Sequence, residues 1–169
     1  MATKIQPFTF VCGPDDFLVN RTAKARFGQM SEGVDEFSID VLNGFVNNVA
    51  EVETVTNRFR EAVQTLGLFG ARKVVWLKDV NFLADSQTGK AEGTLKQVVE
   101  LKALLGSVNP DEIAVLVSAS PVDRRRSFPK WCEKTSDAHV LTEGTGGIDW
   151  DALAEEECGT LGISFGPGV

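Results

Sequence analysis

The turn after the first predicted strand is where an α/β nucleotide-binding protein holds phosphate, and here it reads Gly13-Pro14-Asp15-Asp16. Phosphate binding at such a turn needs backbone N–H donors, a Lys for the β and γ phosphates and a hydroxyl for magnesium. This turn has no Gly-Lys-Ser/Thr sequence, and Pro14 lacks a backbone donor. Asp15 and Asp16 place carboxylates at the positive end of the next helix, where they repel phosphate. The residues therefore predict that no nucleotide cofactor binds here.

Two other charged positions invite comparison with nucleotide or nucleic-acid sites. Asp79 follows a predicted strand where an ATPase carries an acidic pair for magnesium, but Lys78 stands beside it, and a turn aspartate is the simpler interpretation. Arg124-Arg125-Arg126 is the one dense basic run. Such a run could contact nucleic acid or an acidic partner, but we favour the interpretation that these arginines form the solvated first turn of a helix.

The cysteines and the histidine form no recognisable metal or catalytic pattern. Cys12, Cys132 and Cys158 are odd in number and widely spaced, without a C-x-x-C pair. His139 is the single histidine, and a surface or strand-edge position explains it most simply. We therefore predict no metal site and no catalytic residue.

Composition limits the class of protein and of partner. The chain has 169 residues, 43% of them apolar, which suits one globular domain. Its net charge of −7 argues against binding nucleic acid through its own surface, since neutralising phosphates needs clustered Lys and Arg. The first residues lack the apolar core of a secretory signal, and no run approaches the ~18 apolar residues of a membrane span. These features predict a cytoplasmic protein without a membrane partner.

The elements that must position these residues alternate between strand and helix, which predicts a parallel sheet covered on both faces. Helices are expected from a cap at Asp15 or Asp16 to about Gln29 and from a cap at Asn47 or Asn48 to Leu66. Further helices are expected over residues 94–105 and 123–134, with Pro129 expected to start, kink or split the second, and a mobile loop is expected over 84–93. Strands are predicted over residues 8–12, 36–41, 73–77, 113–117 and 138–141.

Large apolar side chains also stand in the connection between a helix and a strand, where surface exposure is usual. Leu68 and Phe69 lie between Gly67 and Gly70, directly after the apolar helix face that ends at Leu66. Two interpretations are open: both side chains complete the core beneath the loop, or both form a plug that docks into a partner's pocket. Spacing alone favours the core.

The residues quoted above, taken in order, resemble the N-terminal domain of the delta subunit of the bacterial DNA polymerase III clamp loader. Three segments carry the resemblance: Gly13-Pro14-Asp15-Asp16-Phe17-Leu18, Gln64-Thr65-Leu66-Gly67-Leu68-Phe69-Gly70-Ala71-Arg72-Lys73-Val74-Val75, and residues 111–117 followed by Val122-Asp123-Arg124-Arg125-Arg126. Residues 150–163 also resemble the join to the family's next domain, so the similarity spans nearly the whole chain. The family implies an α/β, AAA+-like (RecA-like) parallel sheet of about five strands, with helices on both faces and no ATP hydrolysis. Residues 1–145 would form that domain, and 146–169 a linker and the start of a lid domain that this chain lacks.

The resemblance also implies a function without catalysis. In the family, an apolar pair inserts into the sliding clamp and opens it, so Leu68 and Phe69, supported by Leu66, become the partner-binding residues. Other clamp-loader subunits would bind through later domains, and DNA would be met only within the complex. The chain would be an accessory subunit of a DNA-directed DNA polymerase, a nucleotidyltransferase holoenzyme, with no small-molecule substrate. The alternative is a nucleotide-binding or scaffold α/β domain with a different protein or nucleic-acid partner.

Overall fold

The computed structural model describes residues 6–65 and 72–141, which form a parallel sheet with helices between its strands. The strands are β1 (Thr9–Cys12), β2 (Ile39–Asn43), β3 (Lys73–Val80), β4 (Ile113–Ala119) and β5 (Asp137–Val140). The helices are α1 (Asp16–Met30), α2 (Val49–Gln64), α3 (Gln87–Lys90), α4 (Glu92–Ser107) and α5 (Ser127–Thr135). The predicted α/β class and the five-stranded parallel sheet are confirmed.

The strands lie in the order β2-β3-β4-β1-β5, and every neighbouring pair is parallel. Thr9 at the start of β1 lies opposite Leu116 of β4 and Asp137 of β5. Parallel pairing brings all strand starts to one edge of the sheet, the amino edge, and all strand ends to the other, the carboxyl edge. The two edges therefore hold different parts of the chain: β1 leads into α1 at the carboxyl edge, while α2 ends and β3 begins at the amino edge.

Both faces of the sheet are covered, as predicted. Helix α1 covers one face, where Val19 and Ala23 pack with Trp76 and two further strand residues. Helices α2, α4 and α5 cover the other face and form the larger core with Phe10, Leu77 and other strand residues. All of β4 is buried, which agrees with its continuous apolar run.

Helix α2 follows its predicted pattern closely. The Asn48 side chain caps it by accepting a hydrogen bond from Glu51 N at 3.0 Å. Val52, Val55 and Phe59 are buried on one face. The helix ends at Gln64 with Thr65 as its C-cap, and Leu66, its predicted last residue, lies outside the described residues.

Two local predictions are wrong. The predicted strand over residues 36–41 begins instead with a single 3-10 turn, Glu36–Ser38, because Asp35 Oδ1 accepts a hydrogen bond from Phe37 N at 2.9 Å. The predicted mobile loop over 84–93 contains α3 and the start of α4. Gly89 fits closely there, since a Cβ on it would lie 2.3 Å from the Ala84 carbonyl oxygen. None of the described helices combines the length and apolar content needed to cross a membrane.

Candidate functional site

The turn between β1 and α1 satisfies its helix end with its own carboxylate. Asp15 is the N-cap of α1, and its Oδ1 accepts hydrogen bonds from Phe17 N at 2.9 Å and Leu18 N at 3.3 Å. These are the N–H groups that a phosphate would otherwise approach. Asp16 adds a second acidic side chain in the first turn. The predicted cap is confirmed at Asp15, and the capping geometry works against phosphate binding.

The backbone that follows β5 fills the space beside this turn. Leu141 N donates a hydrogen bond to Cys12 O at 2.8 Å. A Cβ added at Gly13 would lie 2.5 Å from the Leu141 carbonyl oxygen, which is closer than real Cβ contacts allow. Glycine is therefore required at position 13 for close packing against the chain's own backbone, rather than for approach to a phosphate.

A cleft of about 350 Å³ lies at the carboxyl edge next to α1, and both Asp16 and Asp79 line it. Asp79 lies inside β3, at a register irregularity between Leu77 and Val80, with a left-handed φ of 58°. The structure thus places it at a strand bulge, rather than in the turn that its sequence context favours. Two carboxylates in one cleft repel the phosphates of a nucleoside triphosphate and so disfavour its binding there.

The described residues contain no group of three or more His, Cys, Asp or Glu side chains suited to holding a metal ion. Burial raises the pKa of the Cys12 thiol to about 11, and burial also raises that of Cys132, so neither is a ready nucleophile. His139 lies on the outer strand β5, as predicted, beside Arg26 and Asp137. Cys158 lies outside the described residues.

The basic run is engaged within the chain. Arg124 Nη2 lies 2.6 Å from Glu133 Oε1, and Arg125 Nε lies 2.8 Å from Asp123 Oδ1. The Arg125 hydrogen bond lowers the pKa of Asp123 to about 2. Arg126 donates to the carbonyl of Gly89 at 2.8 Å.

The prediction that this run forms a first helical turn is wrong. Arg126 is the N-cap, and α5 begins at Ser127. Pro129 accounts for the shift, because a proline without a backbone N–H fits only in the first turn of a helix.

At the opposite, amino edge, Lys73 at the start of β3 binds the end of α2. The residue is 5% exposed, and its Nζ donates to the carbonyls of Ala62 at 2.7 Å and Thr65 at 3.2 Å. Its Nζ also lies 2.8 Å from Asp40 Oδ2 of β2. A cation at the carboxyl end of a helix satisfies unpaired carbonyls and interacts favourably with the helix dipole.

The strand end of the same connection is tied to the start of β4. Lys73 N donates to Glu112 O at 2.9 Å, and Arg72 Nη2 donates to Pro110 O at 3.3 Å. Residues 65 and 72–73, which flank the connection, are therefore fixed to the folded core. Leu66, Leu68 and Phe69, the predicted partner-binding residues, lie outside the described residues.

Sequence reasoning missed Lys73 as a functional residue. Lys73 was predicted only as the first residue of a strand, since its partners come from a helix end and from Asp40, which is distant in sequence. A lysine at the start of an otherwise apolar buried strand was the available signal, because buried lysines are almost always paired.

The comparisons with known proteins agree with this fold. The Bacillus subtilis DNA clamp loader delta protein matches with a TM-score of 0.53 over 94% of this chain at 14% identity, and this chain spans 44% of that protein's length. No curated protein matches the chain. The family model for DNA polymerase III, delta subunit, matches residues 10–143. Because that match covers most of the sequence, the chain belongs to the DNA polymerase III delta subunit family.

Proposed function

We propose that this chain is the N-terminal domain of a non-catalytic clamp-loader subunit in DNA replication. Leu68 and Phe69, supported by Leu66, insert into a pocket on the sliding clamp and open it. The observation that carries the proposal is the family match over residues 10–143. The Lys73 contact to the Thr65 carbonyl supports it, since this contact ties the end of α2 to the start of β3. Family membership supplies the kind of partner.

The arrangement of the two sheet edges supports a role in binding rather than in hydrolysis. At the carboxyl edge Asp15 occupies the amides of the helix end, and Asp16 and Asp79 face a shared cleft. Helix α2 ends and β3 begins at the opposite, amino edge. We therefore assign the domain to an AAA+-like class that has no working ATP site.

The energy available to such a plug is sufficient for a specific contact. Burying a leucine and a phenylalanine fully contributes about 1.5–3 kcal/mol each. A compact apolar hot spot of this size dominates many protein interfaces. Ring opening then follows if the domain binds the open clamp more tightly than the closed one, and this step needs no ATP in this subunit.

The remaining parts of the proposal concern the whole protein. Residues 1–145 form the clamp-binding domain, and 146–169 lead into a lid domain. Later domains join the other clamp-loader subunits, and DNA is met only within that assembly. The protein acts in the cytoplasm as an accessory subunit of the polymerase holoenzyme.

The test is a calorimetric titration of the chain against the sliding clamp of the same organism. The double variant Leu68→Ala/Phe69→Ala removes the plug, and we expect binding to weaken by about 100-fold or more, since ~3 kcal/mol is lost. Circular dichroism checks that the variant remains folded.

A matched control removes similar apolar surface elsewhere. Leu95 and Val99 are 46% and 66% exposed on α4, so Leu95→Ala/Val99→Ala should leave clamp affinity within about twofold. Unchanged affinity in a folded Leu68→Ala/Phe69→Ala variant would show that the plug does not carry binding.

A further inference from the structure

Strand β2 forms an outer edge of the sheet. In the described part of the chain it pairs with β3 and with no other strand. An outer strand presents backbone N–H and C=O groups that another strand can pair with. Its five residues include no Pro and no Lys, the residues that most often block such pairing. The edge is therefore open to an added strand.

Exposed apolar side chains cluster along this edge. Phe37, Val41 and Phe45 are 74%, 51% and 55% exposed, and they make up half of the six large apolar side chains exposed in the described residues. Val41 lies opposite Trp76 of β3, while α1 packs mainly against β1, β3 and β4. An added strand would cover apolar surface that α1 leaves open.

The same segment carries charge of one sign. Between Arg26 and Arg58 the sequence has no Lys or Arg, but it has six acidic residues: Glu32, Asp35, Glu36, Asp40, Glu51 and Glu53. Glu32, Asp35 and Glu36 are exposed just before β2. Lys73 neutralises Asp40, and Lys78 lies over the Trp76 ring at 5.3 Å, so neither strand lysine is placed against Glu32, Asp35 or Glu36.

We propose that the outer edge of β2 binds an extended segment of a partner protein in which lysine or arginine alternates with apolar residues. The backbone of that segment pairs with β2, its apolar side chains cover Phe37 and Val41, and its cations face the exposed carboxylates of Glu32, Asp35 and Glu36. A second copy of this chain would bring like charges together, and nucleic acid would be repelled. The chemistry of the edge therefore selects a basic protein segment.

A peptide titration tests the proposal with a defined probe. An alternating Lys-Val peptide of about six residues, blocked at both ends, is added to the ¹⁵N-labelled 169-residue chain. We expect shifts and slowed amide exchange at residues 37–45. A peptide of the same sequence with every backbone nitrogen methylated keeps the electrostatic attraction but has no N–H to donate to the ladder, so it should give neither effect.

A second test of the proposal uses charge variants of the chain. Glu32→Lys/Glu36→Lys should weaken binding of the Lys-Val peptide by about tenfold. Glu92→Lys/Glu112→Lys makes the same change in net charge at exposed sites outside this edge and should leave affinity within about twofold. Equal binding of the two peptides, shifts outside 37–45, or self-association through β2 would overturn the proposal. Leu68→Ala/Phe69→Ala should not affect this binding, so the two proposals fail independently.

Discussion

Replacing Lys73 with methionine tests whether one buried ammonium group ties the end of α2 to β3. The variant keeps most of the apolar stem and removes the group that lies 2.7 Å from Ala62 O, 3.2 Å from Thr65 O and 2.8 Å from Asp40 Oδ2. Methionine offers no donor to replace it. Two carbonyls at the end of α2 and one carboxylate on β2 therefore lose their partner.

The expected cost follows from how well water can replace each bond. A hydrogen bond from a charged group contributes about 1.5–3 kcal/mol. Because Lys73 is only 5% exposed, water cannot readily replace its two bonds to the carbonyls. The Asp40 side chain is 41% exposed, so water solvates that carboxylate and its loss adds little. We expect Lys73→Met to lower the free energy of unfolding by about 2–4 kcal/mol, against a total of ~5–15 kcal/mol for a typical domain.

Urea denaturation followed by circular dichroism measures this loss. Lys96→Met is the matched control, because Lys96 is 74% exposed and pairs only with Glu92 at 3.5 Å in the described structure. It should cost less than about 0.5 kcal/mol. Asp40→Asn should cost clearly less than Lys73→Met, since the carbonyl bonds remain. If Lys73→Met were no more destabilising than Lys96→Met, the anchoring role assigned to Lys73 would be wrong.

Three further predictions concern the carboxyl edge and the turn before α5. Asp15→Ala should lower the free energy of unfolding by about 1 kcal/mol through loss of the α1 cap, as chemical denaturation would show, and an unchanged midpoint would contradict the capping role. Calorimetry with Mg-ATP should give no binding heat for the wild type, and a saturable signal would revive the nucleotide-binding alternative. The Arg125 hydrogen bond lowers the pKa of Asp123 to about 2, which is below its value in the unfolded chain. The ionised Asp123 therefore stabilises the fold above pH ~4, and this contribution is lost as the pH falls toward 2. Asp123→Asn should therefore be less stable than the wild type at neutral pH, and thermal melts should show the difference shrinking over that acidic range; a constant difference would contradict it.

Elements with strong local signals were predictable from the sequence. The apolar residues of α2 recur at helical spacing, so its buried face could be assigned, and the cap was narrowed to Asn47 or Asn48, of which the structure shows Asn48. The continuous apolar run of β4 indicated a strand buried on both faces. The absence of a phosphate-binding sequence after β1 was visible directly, and the structure adds that Asp15 occupies the amides there.

Features that depend on tertiary contacts were not predictable in this way. Residues 84–93 were predicted to form a loop because they are small and polar. Helix α3 forms there instead, capped by Ser86 and stabilised by the hydrogen bond that Arg126 donates to the Gly89 carbonyl. Lys73 gained its role from a helix end and from Asp40, which sequence spacing does not connect. The candidate plug residues themselves remain a prediction, which rests on the family pattern rather than on described geometry.

The most direct test of the central claim is site-specific photocrosslinking to the sliding clamp. A benzophenone amino acid replaces Phe69 in one preparation and Val99, which is 66% exposed on α4, in another. The account predicts a crosslink to the clamp from position 69 and none from position 99. A clamp that binds the chain but crosslinks from position 99 and not from position 69 would contradict it.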